Sequence, residues 1–253
     1  MRRLSETLGQ TLAVIPARGG SRGIPQKNIA PVFGRPLLAW TIEAALKADE
    51  IDRVVVSSDC DEVLKVARRW GAEPLHRPKE LATDICASEP VLGHAFSTLQ
   101  SEGANVETLV LLQPTSPLRD AGHIDEALAL LGAGVNAVIS VYEPRHSPHK
   151  CLQLSPSGSL QGLVDEDAPF RRRQDLPMAL MPNGAIYAIT AEAFRQTRRL
   201  LTDRTAPYIM AAHLSLDIDT PKDLQEAERR LRTLRPASVG LSTRRRSTLF
   251  NSL

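Results

Sequence analysis

The feature that most constrains the fold of this chain is a regular alternation of short apolar runs with amphipathic segments. The runs are rich in aliphatic residues and predict strands near 12–15, 53–57, 108–112 and 137–141. The segments between them predict helices at 36–48, from a cap at Ser58 or Asp59 to Gly71, at 88–102 and at 124–131. Such strands are typical of a sheet buried on both faces, with helices joining consecutive strands. The pattern therefore predicts an α/β fold with a doubly wound, mostly parallel sheet.

The alternation is interrupted between residues 143 and 182. This segment is rich in Pro, His, Arg and Asp and lacks helical periodicity. Because so long a segment is usually functional or interfacial, we predict a small protruding arm of short strands and loops. The pattern resumes with a strand at 185–189, a helix at 191–198, a strand at 208–214 and a helix that starts at Pro221 and is capped by Thr220 and Asp223. We expect one domain over 11–235 and a disordered tail over 236–253.

Composition and charge argue against several classes of function. Of the 253 residues, 31 are Lys or Arg and 29 are Asp or Glu, so the net charge of +2 does not predict a nucleic-acid partner. No run reaches the ~20 apolar residues of a membrane span, and the first residues lack the apolar core of a signal peptide. We therefore expect a cytoplasmic protein with no membrane partner. The widely spaced Cys60, Cys86 and Cys151 predict neither a disulfide nor a metal cluster.

A glycine-rich basic loop at 15–28 follows the first predicted strand and precedes the first predicted helix. It contains three glycines and three cations: Gly19, Gly20, Gly23, Arg18, Arg22 and Lys27. Glycines let the backbone approach a ligand closely, and backbone N–H groups combined with cations suit a triphosphate. The loop matches neither the Walker A pattern nor G-x-G-x-x-G. It predicts a triphosphate site of another kind, with a mobile basic loop as the alternative.

Two carboxylates, Asp217 and Asp219, follow the last predicted strand. Alternate residues of an extended segment point the same way, so both side chains can reach one cation. Hard oxygen ligands suit Mg²⁺, which keeps several waters and bridges substrate phosphates. Beside a triphosphate loop the pair predicts a Mg²⁺ site, with two solvated turn acids as the alternative.

Five blocks of the sequence together resemble the acylneuraminate cytidylyltransferases, the enzymes that make CMP-sialic acids. They are IPARGGSRGIPQKN at 15–28, RPKELATD at 77–84 followed by Ser88, LQPTSPLR at 112–119, NGAIY at 183–187 and DIDTP at 217–221. The first and third blocks are highly specific in combination, and the resemblance covers residues 11–232. It implies a Rossmann-like nucleotidyltransferase fold, Mg²⁺ as cofactor, and CTP and a nine-carbon sugar acid as substrates. It further implies a role in cell-surface polysaccharide biosynthesis.

The resemblance also implies roles for individual residues. The nucleotide site would comprise Arg18, Gly19, Gly20, Ser21, Arg22, Lys27, Asn28, Arg77 and Ser88. Arg77 and Ser88 would read cytosine. The catalytic residues would be Arg18, Lys27, Asp217 and Asp219, the two acids acting as metal ligands. The family usually has Lys at position 22, and the planar fork of Arg22 is expected to contact phosphate differently.

The predicted arm carries a concentration of basic residues: Arg145, His146, His149, Lys150, Arg171, Arg172 and Arg173. Arg and Lys suit a sugar-acid carboxylate, and the corresponding arm in the family builds a dimer and reaches the neighbouring active site. The resemblance therefore implies a homodimer, and a sugar site comprising Gln113, Lys150, Arg171, Arg172, Asn183 and Tyr187. A solvated charged loop is the alternative, and no ligand spacing supports zinc.

The reaction implied by the resemblance is attack of the sugar's anomeric hydroxyl on the α-phosphate of CTP, with release of pyrophosphate. Positioning and electrostatic stabilisation by Arg18 and Lys27 would carry catalysis, and no covalent nucleophile or general base is identified. Two alternatives stay open: an enzyme that activates an eight-carbon ketosugar acid, and a non-catalytic nucleotide-binding protein of the same fold. The sequence does not specify which nine-carbon acid is used.

Overall fold

The computed structural model describes residues 9–234, which form eleven strands and six α-helices. The strands are β1 (Gln10–Pro16), β2 (Pro31–Val32), β3 (Arg35–Pro36), β4 (Arg53–Ser58), β5 (Glu73–His76), β6 (Val106–Leu111), β7 (Ala137–Tyr142), β8 (Leu152–Leu154), β9 (Leu160–Gly162), β10 (Met181–Thr190) and β11 (Thr205–Ile209). The helices are α1 (Leu37–Lys47), α2 (Asp61–Arg69), α3 (Ser88–Ser101), α4 (Ala121–Leu128), α5 (Ala191–Thr197) and α6 (Pro221–Leu234).

Seven strands form the central sheet in the order β11-β7-β10-β6-β1-β4-β5. All of its pairings are parallel except the two that β10 makes with β6 and β7. Within β1, Val14 pairs with Leu111 on one side and Val55 on the other, so its side chains are buried between helix layers. The doubly wound, mostly parallel sheet predicted from the sequence is confirmed.

Helices cover both faces of the sheet, as the long apolar runs of the strands require. On one face α1, α2 and α4 contribute to a core that includes Ile15, Val56 and Val110. On the other face α3 and α5 pack against Val14, Leu109 and the neighbouring strand residues. Alternate residues of each central strand therefore support opposite layers.

A third cluster fixes the loops that surround the site described below. Ile24 of the glycine-rich loop packs with Val32, Trp40 and Leu118, and with Ala227 of α6. Ile218, which lies between the two predicted metal ligands, is fully buried in the same cluster: its side chain is 0% exposed. Because Ile218 points into this cluster, its neighbours Asp217 and Asp219 point away from it.

Three local predictions need correction. Neither Ser58 nor Asp59 caps α2, because Ser58 Oγ accepts from the backbone of Cys60 and Asp59 Oδ1 accepts from Gly19 N. The predicted strand at 208–214 is Thr205–Ile209, an edge strand that tolerates Pro207. The short strands β2, β3 and β5 were not predicted from the sequence.

The cap of the last helix is confirmed. Thr220 N and Thr220 Oγ1 each donate to Asp223 Oδ2 at 2.8 Å, directly before α6. The reciprocal bond from Asp223 N to Thr220 Oγ1 is longer, at 3.4 Å. No helix within residues 9–234 is both long enough and apolar enough to cross a membrane. The predicted tail lies outside the described residues.

Residues 143–180 form short elements, as predicted for the arm. They comprise the β8–β9 hairpin and three short 3₁₀ segments at Pro148–Lys150, Ala168–Phe170 and Arg173–Asp175. Several apolar side chains in this region are exposed: Leu152, Leu154, Leu160, Leu163, Val164, Phe170 and Met178. The arm therefore presents apolar surface that the rest of the described chain does not cover.

Candidate active site

A cavity of about 340 Å³ opens at the carboxyl ends of β1 and β6. The strand order reverses here, because β4 and β5 lie on one side of β1 and β6 lies on the other. Ligands of open α/β sheets bind in the crevice at such a point. Ten of the site residues predicted from the sequence line this cavity: Arg18, Gly20, Ser21, Lys27, Asn28, Arg77, Ser88, Gln113, Asp217 and Asp219.

The backbone of the glycine-rich loop is fixed by two side chains, Asn28 of the loop and Asp59 of the neighbouring segment. Asn28 Nδ2 donates to the carbonyl oxygen of Arg18 at 2.9 Å, and Gly19 N donates to Asp59 Oδ1 at 3.0 Å. Gln26 has a φ of 50°, in the left-handed region, immediately before Lys27. A non-glycine residue in this conformation is strained, and such strain is common at ligand sites. The loop thus presents Gly20 and Ser21 to the cavity while its ends are fixed.

Lys27 and Gly23 join the loop to the acidic segment. Lys27 Nζ donates to Ile218 O at 2.8 Å and to Asp219 Oδ1 at 3.0 Å. A Cβ at Gly23 would lie 2.2 Å from Asp219 O, so only glycine permits this approach. The lysine of the glycine-rich loop and the carboxylates are therefore parts of one assembly, although they are far apart in sequence.

The two carboxylates face the cavity on either side of buried Ile218. Ile218 N donates to Thr115 O at 3.0 Å, and the Thr115 side chain is hydrogen-bonded to Asp217. Although the cavity reaches Asp217, the surrounding protein raises the pKa of its carboxyl group by desolvation, and nearby Asp219 raises it further. Thr115 and Lys27 act in the opposite direction.

The donor set of this segment fits Mg²⁺. The two carboxylates repel each other, and among residues 9–234 a single lysine, Lys27, forms an ion pair with one of them, Asp219, so a cation would relieve their repulsion. Within residues 9–234 no group of three or more His, Cys, Asp and Glu side chains is gathered for a metal ion. A site with two protein carboxylates suits Mg²⁺, which takes its other ligands from water and phosphate.

Arg77 forms the opposite wall of the cavity and is only 3% exposed. Its backbone N donates to Ser58 O at 2.8 Å, and its Nη2 lies 3.9 Å from Asp59 Oδ1. Its Nε and Nη2 have no hydrogen-bond partner among the described residues, and burial lowers the pKa of the guanidinium. A buried cation with unfilled donors beside a cavity is suited to a polar ligand. Ser88, at the start of α3, lines the same wall.

The floor of the cavity is a packed junction between the segment after β6 and strand β10. Gln113 N donates to Gly184 O at 3.3 Å, and a Cβ at Gly184 (φ 73°) would lie 2.3 Å from Gln113 Oε1. Beneath them, fully buried Arg119 donates to carbonyl oxygens of Gln113, Ser116 and Ala185 at 3.4, 3.5 and 3.3 Å. Burial lowers the pKa of Arg119 to about 9. Arg119 is the last residue of the sequence block at 112–119, and the sequence alone predicts no role for it.

Four predicted residues near the cavity do not line it. Gly19 packs on Cys60, and Arg22 is 81% exposed and paired with Asp84. Asn183 is buried and uses its amide on Ser140 Oγ and Ser215 Oγ, at 2.6 and 3.0 Å. Tyr187 is half-buried within β10. The amide of Asn183 thus holds β7 and β10 together, and sugar contacts by Asn183 and Tyr187 stay predictions.

The predicted arm residues lie outside the lining of the cavity and have local partners. Lys150 Nζ donates to Arg171 O at 2.5 Å. Arg171 pairs with Asp165 at 3.5 Å, and Arg172 pairs with Asp175 at 2.7 Å. Their role in sugar binding also stays a prediction, because the described chain alone does not bring them to the other site residues.

The family model described as Cytidylyltransferase matches residues 12–237 of the chain. The chain is 35% identical over 218 residues to the N-acylneuraminate cytidylyltransferase of Escherichia coli O18:K1:H7, covering 85% of this chain and 51% of the relative. It thus spans about half the length of the curated relatives of this kind. It is 31% identical to the pseudaminic acid cytidylyltransferase of Campylobacter jejuni serotype O:2, covering 87% of this chain and 95% of the relative.

Solved structures agree on the fold. CMP:2-keto-3-deoxy-manno-octonic acid synthetase complexed with CTP superposes with a TM-score of 0.66 at 17% identity, covering 89% of this chain and all of that one. A cytidylyltransferase from Leptospira borgpetersenii gives a TM-score of 0.59 at 14% identity, covering 89% and 87%. At these identities the likeness establishes a shared fold and leaves the chemistry to the residues of the site.

Proposed function

The chain belongs to the cytidylyltransferase family, and we propose that it couples CTP to a nine-carbon, sialic-acid-like 2-keto sugar acid, forming the CMP-sugar and pyrophosphate. The observation that carries this proposal is the convergence of Arg18, Lys27, Arg77 and the Asp217–Asp219 pair on one cavity. The names of the relatives at 31–37% identity, which act on acylneuraminic or pseudaminic acid, support the sugar class. A nucleoside triphosphate substrate supports a cytoplasmic location.

The nucleotide is proposed to span the cavity from Arg77 to the glycine-rich loop. The unfilled donors of buried Arg77 suit the polar edge of a base. Exposed backbone at Gly20, with Ser21 and Arg18 beside it, suits the phosphates. This orientation directs the α-phosphate toward the centre of the cavity, between the loop and Gln113.

The proposed reaction is a direct attack of the anomeric hydroxyl of the sugar on the α-phosphate, in which the hydroxyl proton passes to water. The bond from the α-phosphorus to the bridging oxygen breaks, and pyrophosphate leaves with the electron pair. Arg18 and Lys27 stabilise charge that builds on the phosphate oxygens, and Lys27 is held in place by Asp219 and Ile218 O. Catalysis then depends mainly on fixed geometry and fixed charge, and no residue need be a covalent nucleophile.

Asp217 and Asp219 are proposed to hold Mg²⁺, which when bound would supply charge neutralisation for the triphosphate. Thr115 and buried Ile218 fix the segment that carries the two carboxylates. Gln113, whose position is set by Gly184 and Arg119, is proposed to contact the sugar acid.

We further propose that the enzyme is a homodimer built by the arm, defined as residues 143–182. Its exposed apolar residues need a surface to cover them, and a two-fold contact is the commonest arrangement. In such a dimer Lys150, Arg171 and Arg172 would approach the partner's cavity and clamp the sugar carboxylate.

Pyrophosphate release tests the proposal. CTP, UTP, ATP and GTP are each supplied with Mg²⁺ and a panel of N-acetylneuraminic, legionaminic, pseudaminic and eight-carbon ketosugar acids. We expect turnover with CTP and a nine-carbon acid, and reduced CTP selectivity in Arg77→Met. Turnover only with the eight-carbon acid would favour the alternative enzyme, which activates an eight-carbon ketosugar acid. Binding of CTP without turnover on any acid of the panel would favour a non-catalytic nucleotide-binding protein.

A further inference from the structure

Asp84 bridges the two arginines of the glycine-rich loop. Its Oδ1 accepts from Arg18 Nη1 and its Oδ2 accepts from Arg22 Nε, both at 2.5 Å. Asp84 lies in the segment between Arg77 and Ser88, so this contact joins the wall proposed to bind the base to the loop proposed to bind the phosphates. Asp84 is the last residue of the sequence block at 77–84, and the sequence alone predicts no role for it.

The carboxylate engages only part of each guanidinium. An arginine has five N–H donors in a rigid fork, and Asp84 uses one nitrogen of Arg18 and one of Arg22. Among residues 9–234 the remaining donors of both side chains have no further hydrogen-bond partner, so they can bind a polyphosphate. Hydrogen bonds from Arg18 and then Arg22 lower the pKa of the Asp84 carboxyl, so this group is ionised at neutral pH.

Arg22 shows what the bridge contributes. Its side chain is 81% exposed, and a long exposed side chain loses rotamer freedom when it orders on a ligand. A contact made before the ligand arrives removes part of that loss. The same contact also fixes Arg18, a lining residue whose side chain is 31% exposed.

We propose that Asp84 is a positioning residue that orders Arg18 and Arg22 for the polyphosphate of the nucleotide. It thereby ties the phosphate loop to the base-binding segment. This inference rests on the proposed function, since it takes a nucleoside triphosphate as the ligand. The opposing possibility is that Asp84 occupies the place of a phosphate and competes with it. The two predict opposite changes in affinity.

The test compares Asp84→Asn, which keeps the shape and removes the charge, with the wild type. Calorimetry measures binding of inorganic tripolyphosphate, CTP and cytidine to the full chain. We expect tripolyphosphate and CTP to bind about tenfold more weakly, with cytidine nearly unchanged. Asp84→Glu should recover part of the loss. In an Arg22→Met background the effect of Asp84→Asn should shrink, because the two residues act as a unit.

A matched control is available on α6. Glu226 is also shared by two arginines, Arg229 and Arg230, and does not line the cavity. Glu226→Gln should leave all three affinities unchanged. Equal or tighter tripolyphosphate binding by Asp84→Asn would overturn the proposal, and so would an equal weakening of cytidine, which would indicate a general loss of loop structure. If the wild type bound neither CTP nor tripolyphosphate, the proposed function would fail together with this inference.

Discussion

The two buried arginines of the cavity and the arginines of the arm lie in opposite environments. In the cavity wall and floor, Arg77 and Arg119 are buried, and both retain nitrogens without a partner among residues 9–234. In the arm, Arg171 and Arg172 are exposed, and nearby carboxylates of the arm pair with them. Desolvation makes a buried cation with unfilled donors costly, so its retention indicates a ligand or a structural task. The arm's cations need no such explanation within one chain.

This difference indicates whether each region needs a second chain. The cavity is assembled by the core: buried Ile218 and Arg119 fix the segments that carry its residues. The arm has exposed apolar residues such as Leu154 and Phe170, and its own fold does not cover them. A single chain should therefore contain most of the nucleotide site, and a second copy should contribute to the sugar site.

The largest expected effect comes from the acidic pair. The double variant Asp217→Ala, Asp219→Ala should lower turnover by about a hundredfold or more through loss of transition-state charge stabilisation. The protein should stay folded, because loss of the Lys27–Asp219 pair is accompanied by loss of the repulsion between the two carboxylates. Pyrophosphate release at limiting Mg²⁺ measures the loss, and Asp203→Ala, an exposed acid outside the cavity lining, is the control. Near-wild-type turnover of the double variant would remove the metal site from the proposal.

A smaller effect is expected at the floor of the cavity. Arg119→Met removes a buried cation, which relieves its desolvation cost, but it also removes the donor to three carbonyl oxygens. Because these hydrogen bonds are long, we expect the two effects to offset each other and the free energy of unfolding to change by about 1 kcal/mol or less. Turnover should fall about tenfold, because the carbonyl groups of Gln113 and Ser116 lose their shared donor.

Urea unfolding and steady-state kinetics on the same preparation separate the two quantities for Arg119→Met. Arg119→Ala, which leaves a void, should by contrast be destabilised. Full activity combined with a large loss of stability in Arg119→Met would mean that this arginine serves folding alone. The cavity floor would then not depend on it.

The sequence predicts the parts of the cavity that are local. Arg18 and Lys27 lie in a short glycine-rich segment, and Asp217 and Asp219 occupy alternate positions of a short extended segment. These local patterns predict where the side chains point, and all four line the cavity. The sheet is predictable for the same reason, because its periodicity is local. Asp84 was missed because its role depends on arginines that are distant in sequence.

Residues whose environment comes from tertiary contacts are harder to predict. Asn183 lies in a recognisable block, yet its burial depends on Ser140 and Ser215 of other segments. Strand β11 was predicted at 208–214 but runs over Thr205–Ile209, and it includes Pro207, which the place of this strand at the sheet edge permits. The arm's function is the extreme case, since its proposed partner is another chain.

Mixing two inactive variants tests that proposal. One variant carries alanine at Arg171, Arg172 and Arg173, and the other carries Asp217→Ala. If the arm reaches the partner's cavity, each mixed dimer has one intact site and one doubly damaged site. Random exchange should then restore about a quarter of wild-type activity. Absence of recovery, with subunit exchange shown by labelled chains, would place the arginines and the acid in the same chain's site.

The smallest expected effect is on the stability of the single chain when the arm's apolar surface is altered. Phe170 is 82% exposed and Leu154 is 71% exposed, so Phe170→Ser with Leu154→Ser should change the monomer's free energy of unfolding by only about 0.5 kcal/mol or less. Leu111→Ala in the buried sheet is the contrast, because it should lower the free energy of unfolding by about 2–5 kcal/mol.

The same double serine variant should dissociate the dimer in sedimentation, because those side chains are proposed to contact the partner's surface. A wild-type chain that sediments as a fully active monomer would contradict the proposal that a second copy covers the arm and contributes to the sugar site. A large loss of monomer stability in the serine variant would instead mean that the arm packs on its own chain.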